Sequence, residues 1–163
     1  GADAITTNCG FLSIFQKELS AAVRVPVLTS SLMQVSTVNM LLPDSKKAGI
    51  LTISKSTLGD AHLRAANVPS DTPIGTTEDG VEFSRVILND ELKLNIELAR
   101  MDNINAALKM KTDHPELGAI ILECTNMSPY AEAIQEAVEL PVYSIVNFVE
   151  WLHAGLKPKR FFS

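Results

Sequence analysis

The chain has 163 residues, enough for one ordinary domain or two small lobes. Hydrophobic residues make up 46% of it and charged residues 20%, which excludes disordered and low-complexity structure. With 14 basic and 19 acidic residues the net charge is −5, and the chain has no basic run. This charge argues against nucleic acid or an anionic membrane surface as a partner.

Segments that would cross a membrane or direct secretion are absent from the sequence. No stretch approaches the ~18 uninterrupted apolar residues of a membrane span, and there is no signal-peptide pattern. We therefore expect a cytoplasmic protein. The sequence opens on Gly1 rather than on a methionine and runs at once into a strand-like segment.

Apolar, β-branched runs alternate with stretches of helical periodicity along the whole chain. The predicted strands cover residues 3–8, 26–29, 47–54, 73–77, 118–123 and 141–146, and the predicted helices cover 10–23, 31–42, 57–67, 90–112, 128–138 and 147–154. We expect Asp90 to cap the fourth of these helices, and Ser128 to cap the fifth with Pro129 at its first position. Strands separated by helices of this length predict parallel sheets in an α/β fold.

One β-α-β unit occurs twice in the sequence. A shift of 115 positions aligns residues 4–27 with 119–142 without gaps and gives eight identical pairs. Unrelated segments of globular composition would give about two. Strand–helix–strand units of this kind recur widely, so a generic similarity is the alternative. The two cysteines of the chain, Cys9 and Cys124, align with each other, which favours a true repeat.

Each cysteine follows a buried strand and precedes a helix, where open α/β sheets bind their ligands. The N–H groups at a helix N terminus favour a thiolate, so we expect a lowered thiol pKa at both positions. Two thiols facing each other could take a proton from one face of a stereocentre and deliver one to the other face, without a cofactor.

Other interpretations of the cysteines are less favoured but stay open. Free cysteines are often inert parts of a core. A disulfide is rare in a cytoplasmic chain, and a metal site is disfavoured because there is no CxxC motif and no histidine close to either cysteine in sequence.

The segments 7–11 (TNCGF) and 123–127 (ECTNM) resemble the two cysteine motifs of the aspartate/glutamate racemase superfamily. Hydantoin racemases, arylmalonate decarboxylases and maleate isomerases belong to the same superfamily. A hydroxyl-rich segment at 53–58 (ISKSTL) follows a buried strand, as in that family. The resemblance covers nearly the whole chain.

The resemblance implies two pseudo-symmetric lobes, each a parallel β-sheet flanked by helices, with the substrate between them. Lobe A would comprise residues 1–43 and 145–163, and lobe B residues 44–144. Members of the family begin with a further strand, so we expect lobe A to lack an N-terminal strand here. A homodimer is left open.

The resemblance also implies the residues of the site. Cys9 and Cys124 would be the acid/base pair. The residues expected to bind the substrate are Asn8, Gly10 through its N–H, Thr125 and Asn126, with Ser54, Ser56 and Thr57 holding a carboxylate. For these hydroxyls the alternative is the capping of a helix that begins near residue 56 or 57. No metal and no cofactor is expected.

The leading hypothesis is an isomerase: a cofactor-independent racemase or epimerase of a small carboxylate substrate, such as an aspartate- or glutamate-like amino acid. Gly10 and Phe11 stand where glutamate racemases carry Asn-Thr, and Asn126 stands where they carry His, which argues against glutamate itself. The alternatives are a one-cysteine decarboxylase or cis–trans isomerase of the same superfamily, and a non-catalytic carboxylate-binding protein.

Overall fold

Six strands and seven α-helices lie along residues 1–162, the part of the chain that this computed structural model describes, and they alternate except where α4 leads to α5. The strands are β1 (Ile5–Thr6), β2 (Val27–Leu28), β3 (Lys47–Thr52), β4 (Ile74–Thr76), β5 (Leu117–Leu122) and β6 (Val142–Tyr143). The helices are α1 (Gln16–Ala22), α2 (Val35–Leu41), α3 (Asp60–Ala65), α4 (Phe83–Leu88), α5 (Ile96–Asp113), α6 (Ala131–Val138) and α7 (Ile145–Leu156). Short 3-10 helices, Gly10–Phe15, Ser31–Gln34 and Thr125–Tyr130, lead directly into α1, α2 and α6. The predicted α/β class is confirmed.

The strands form two parallel sheets. β1 pairs with β2, and the other four strands lie in the order β4-β3-β5-β6. The central strands β3 and β5 are almost entirely buried, as expected for parallel strands covered on both faces. Because the strands run parallel, the segments that follow them emerge at one edge of the sheet. The division into lobes 1–43 plus 145–163 and 44–144 stays a prediction.

Alternate residues of the central strands point into two hydrophobic cores, one on each face of the four-stranded sheet. Leu51, Ile120 and Leu122 belong to the core that contains residues of α4, α5 and α6. Ile50 and Ile121 belong to the core that contains residues of α2. Helices on both faces therefore hold the edge of this sheet that carries Cys124 in a fixed position.

The sequence repeat is a repeat of structure. Ile5 pairs with Val27 in the small sheet, and the residues 115 positions later, Ile120 and Val142, pair in the large sheet. The N–H of Ile5 donates to Pro26 O and the N–H of Ile120 to Pro141 O, both at 2.9 Å. Each unit then continues through a 3-10 helix into an α-helix. The predicted repeat is confirmed down to its hydrogen bonds.

The two predicted helix caps are wrong. The helix expected from residue 90 begins at Ile96, because the Asn95 side chain accepts hydrogen bonds from the backbone N–H groups of residues 97 and 98. Asp90, the expected cap, has a left-handed φ of 53° instead. Ser128 and Pro129 lie inside the 3-10 helix Thr125–Tyr130 and do not begin a helix.

Helix α4 was not predicted from the sequence. Glu82 precedes it and makes no capping hydrogen bond with its side chain. The cap comes instead from Asp102 on α5, whose carboxylate accepts from the N–H groups of Val81, Glu82 and Phe83 at 2.7–3.1 Å. A cap supplied by a distant residue leaves no signal in the local sequence.

Candidate active site

The two cysteines hold equivalent positions in the two units. Each is the extended residue that immediately precedes a 3-10 helix. Cys9 O accepts from the N–H of Leu12 at 3.1 Å, and Cys124 O from the N–H of Met127 at 3.0 Å. The thiols differ in exposure, since Cys9 is exposed and Cys124 is half-buried. The local backbone is therefore shared, while the surroundings of the two thiols are not.

The two cysteine segments touch each other through Gly10. A Cβ added to Gly10 would lie 2.2 Å from Glu123 Oε1 and 2.4 Å from Glu123 O, which no side chain tolerates. Behind this contact the Ser31 hydroxyl donates to Leu122 O at 2.6 Å. The structure thus brings together the residues next to both cysteines.

Burial, and after it the negative charge of Glu123, raise the pKa of the Cys124 thiol to about 12. The backbone N–H groups of Asn126 and Met127 act in the opposite direction, and a charge on Cys9 adds to the increase. The expectation of a lowered pKa is therefore wrong for Cys124. Two N–H groups of a short helix do not compensate for lost hydration and a neighbouring carboxylate.

Glu123 is the acid between the cysteine segments, and only 1% of its surface is exposed. The Thr52 hydroxyl donates to Glu123 Oε2 at 2.8 Å, but Oε1 has no hydrogen-bond partner. Burial raises the pKa of this carboxyl to about 7, against the lowering effect of Thr52 and of the N–H of Ile53. Sequence reasoning did not assign Glu123 a role, although an acid at the end of an otherwise apolar strand is a usable signal.

The hydroxyl-rich loop after β3 binds a carboxylate, which is the side chain of Glu78. The Ser54 hydroxyl donates to Glu78 Oε1 at 2.8 Å, the Ser56 hydroxyl donates to the same oxygen, and the N–H of Lys55 donates to Oε2 at 3.1 Å. Partial burial raises the pKa of Glu78, but the hydrogen bonds outweigh it and lower the pKa to about 2. Sequence reasoning did not identify Glu78 as the partner of this loop.

The capping alternative for these hydroxyls is wrong. Helix α3 begins at Asp60 with Gly59 as its cap, and no side chain caps it. The Thr57 hydroxyl donates to Ser54 O at 3.4 Å and so closes the loop on itself. A substrate-binding role for Ser54, Ser56 and Thr57 stays a prediction.

The remaining predicted site residues lie next to the cysteines in sequence, Asn8 beside Cys9 and Thr125 and Asn126 beside Cys124. Asn8 and Asn126 are exposed, and Thr125 is half-exposed. Their side chains make no hydrogen bond to any residue between 1 and 162, so their polar groups are available to a ligand. Their contact with a substrate stays a prediction.

Among the described residues, 1–162, there is neither a cluster of metal-binding side chains nor a membrane-spanning helix. No group of three or more His, Cys, Asp or Glu side chains is arranged there to hold a metal ion. None of the helices in that range has both the length and the apolar character to span a membrane.

The fold is shared with enzymes of the racemase type. Allantoin racemase from Pseudomonas fluorescens matches 100% of this chain and 72% of its own, with a TM-score of 0.61 and 16% identity. Glutamate racemase from Thermus thermophilus matches 98% of this chain and 60% of its own, at 0.60 and 18%. An arylmalonate decarboxylase matches 96% of this chain and 69% of its own, at 0.59 and 15%. The resemblance in the cysteine motifs is thus borne out at the level of the fold.

Sequence similarity points to a different class of enzyme. A dimethylsulfoniopropionate lyase of Durusdinium sp. clade D is 28% identical over 162 residues, which is 95% of this chain and 53% of that enzyme. Dimethylsulfoniopropionate lyase 3 of Emiliania huxleyi is also 28% identical, over 96% of this chain and 43% of its own. The chain thus spans about half the length of these curated relatives. No family model matches it.

These relatives overturn the prediction of a racemase. The similarity to these lyases extends over nearly the whole chain at 28% identity, whereas the racemases share the fold at 18% identity or less. The resemblance to racemases rests on motifs that position two cysteines. Those motifs do not encode which bond is broken once a proton has been removed.

Proposed function

We propose that this chain carries the reaction site of a lyase that cleaves dimethylsulfoniopropionate or a closely similar sulfonium carboxylate. The similarity along 95% of the chain to lyases of that substrate carries the proposal. The paired cysteines at the sheet edge support it, because such a cleavage begins with removal of a proton from carbon.

The chemistry of this substrate requires one base. Dimethylsulfoniopropionate carries a carboxylate, two methylene groups and a dimethylsulfonium group in a row. A base takes a proton from the methylene next to the carboxylate. The released electron pair forms the carbon–carbon double bond, and the carbon–sulfur bond breaks with its electrons moving to sulfur. The products are acrylate and dimethyl sulfide, which is neutral and leaves without a proton.

The unequal surroundings of the two thiols fit a one-base reaction. Cys124, with a pKa of about 12, is a neutral thiol near pH 7. Cys9 is exposed and accessible to a substrate, so we assign the role of base to its thiolate. Cys124 would then act as a neutral hydrogen-bond donor. The proton accepted by Cys9 passes to water.

The polar groups beside the cysteines suit the substrate carboxylate. Charge develops on this carboxylate as the neighbouring carbon loses its proton, so hydrogen-bond donors placed there would lower the barrier. The amides of Asn8 and Asn126 and the Thr125 hydroxyl have no partner among the described residues. We propose that they and the N–H of Gly10 bind this end of the substrate.

Proton NMR tests the proposed reaction directly. The chain is incubated with dimethylsulfoniopropionate, and the vinyl signals of acrylate are followed together with dimethyl sulfide in the headspace. We expect both products to appear in equal amounts. A folded chain that produces neither, and that exchanges no methylene proton for deuterium in D₂O, would contradict the proposed function.

The cysteine variants test the assignment of roles. Because the chain has two cysteines, Cys9→Ser and Cys124→Ser each leave a single thiol. Loss of a general base typically lowers kcat by about 10² to 10⁴. We expect a loss of that size for Cys9→Ser and a smaller one for Cys124→Ser. The reverse order would assign the base to Cys124, and unchanged turnover in both variants would exclude a cysteine mechanism.

A further inference from the structure

Glu123 differs from the other buried acids of the described chain. Asp102 accepts three backbone N–H groups, and Glu82 pairs with Arg85 and accepts from the N–H of Asn95. Both carboxylates are thus satisfied. Glu123 is more deeply buried than either, yet its Oε1 has no partner. A buried, half-satisfied carboxyl destabilises a fold, so a structural role does not explain it.

The repeat shows where the two sites differ. The residue before the first cysteine is Asn8, and the residue before the second is Glu123. Asn8 is exposed and neutral, whereas Glu123 is buried and ionisable. The two units share their backbone hydrogen bonds, so this pair of residues is a principal electrostatic difference beside the thiols.

We propose that Glu123 is a positioning residue that acts on the thiol of Cys124 and keeps it protonated. Glu123 directly precedes Cys124 and is itself buried. Its carboxyl ionises with a pKa of about 7, and above that pH its negative charge opposes a thiolate on the next residue. The consequence for catalysis, that Cys9 alone serves as the base, rests on the proposed function.

The groups facing Glu123 do not supply a compensating positive charge. From β3 it meets the Thr52 hydroxyl and the N–H of Ile53. On the side of the first unit, Glu123 contacts Gly10, the first residue of the 3-10 helix that follows Cys9. The titratable neighbours of Glu123 are Cys9 and Cys124. Beyond this shell lie Glu78, which reaches Thr52 through Ser54, and His62, whose ring packs edge-on against Phe11 at 5.2 Å.

Alkylation of a single thiol tests this proposal without any substrate. In a Cys9→Ser background Cys124 is the only cysteine, and its rate of reaction with iodoacetamide between pH 7 and 10 follows its thiolate fraction. We expect Glu123→Gln in this background to lower the pKa of Cys124. A decrease of one pKa unit makes alkylation about tenfold faster at a given pH below the pKa.

Two controls separate a local effect from a general one. Glu132→Gln removes a charge from the exposed first turn of α6, in the same unit, and should leave the rate unchanged. Glu123→Asn, which copies the residue of the first unit, is the second variant if Glu123→Gln does not fold. An unchanged Cys124 alkylation profile in a folded Glu123 variant would overturn the proposal. Faster alkylation in a chain that does not cleave dimethylsulfoniopropionate would support it and contradict only the proposed function.

Discussion

A missing side chain at Gly10 lets the two cysteine segments meet. Gly10→Ala would place a methyl group 2.2 Å from Glu123 Oε1 and 2.4 Å from Glu123 O, so the backbone of one segment must move. Forced overpacking of this kind typically destabilises by about 1–3 kcal/mol. We expect a loss of about 2 kcal/mol in urea unfolding and a lower rate of cleavage, because the two thiols move apart.

Gly155 in α7 provides the control for this substitution. A Cβ there would meet nothing within 4 Å, so Gly155→Ala should be neutral or stabilising by up to about 1 kcal/mol. Equal effects of the two alanine substitutions would show that the contact between Gly10 and Glu123 does not hold the segments together.

At the residue scale, the sequence was sufficient to predict where the two cysteines lie but not the pKa of the Cys124 thiol. The matched spacing of Cys9 and Cys124 was sufficient to place them in equivalent turns, because a repeat preserves backbone geometry. The raised pKa of Cys124 was not predictable, since it depends on burial and on the packing of Glu123 between the segments. The role of Glu78 as the partner of the hydroxyl loop depends likewise on a contact between the loops that follow β3 and β4.

At the element scale, helix α4 depends on a cap from another helix. Asp102 lies on α5 and satisfies three N–H groups at the start of α4. Hydrogen bonds to a charged group contribute about 1.5–3 kcal/mol each, and buried N–H groups left unpaired are costly. We expect Asp102→Ala to lower the free energy of unfolding by about 3 kcal/mol and Asp102→Asn to lower it less, measured by urea unfolding.

Asp113 on the same helix provides a contrast. It pairs with Lys109 at the surface, where ion pairs contribute about 1 kcal/mol or less. Asp113→Ala should therefore have a small effect. A comparable loss in both alanine variants would mean that Asp102 acts through the helix itself and not as the cap of α4.

The missed helix and the misplaced start of α5 have one physical cause. Periodicity indicates where a helix can form, whereas its ends are set by whichever group satisfies the first N–H groups. Asn95 supplies that group locally for α5, and Asp102 supplies it for α4 from about 20 residues further along the chain. The first could be chosen from the sequence among several candidates, and the second could not.

At the scale of the whole molecule, Glu123 makes stability depend on pH. Its carboxyl keeps its proton up to about pH 7 in the folded chain, whereas the ordinary pKa is 4.5. Between these values the folded chain binds one more proton than the unfolded chain, so stability falls as the pH rises. A shift of this size corresponds to about 3 kcal/mol between pH 4.5 and 7.

We expect the Glu123→Gln variant to lose this decline. Urea unfolding of both chains from pH 5 to 8 measures the difference, and this range avoids the titration of Glu78 near pH 2 and of Cys124 near pH 12. Parallel stability curves for the two chains would show that Glu123 titrates normally.

The alternation of strands and helices was sufficient to predict the α/β class and the parallel sheets. Periodicity alone did not indicate that β1 and β2 form a sheet of their own while β6 joins β5; only the family resemblance separated residues 1–43 from residues 44–144. Sheet order depends on which strands bury the most apolar surface together, and the short strands β1, β2 and β6 carry too few residues to indicate it. The type of reaction was harder still to predict from the sequence than the order of the strands.

Under the proposed function, the carboxylate of Glu78 would give the site a selectivity of its own. The donors of residues 54–56 already hold one anion, so a substrate with two carboxylates would compete with Glu78 for the same groups. A zwitterion presents its second end as a cation and meets no such competitor. An internal glutamate can in this way discriminate against dicarboxylates without touching the substrate that is accepted.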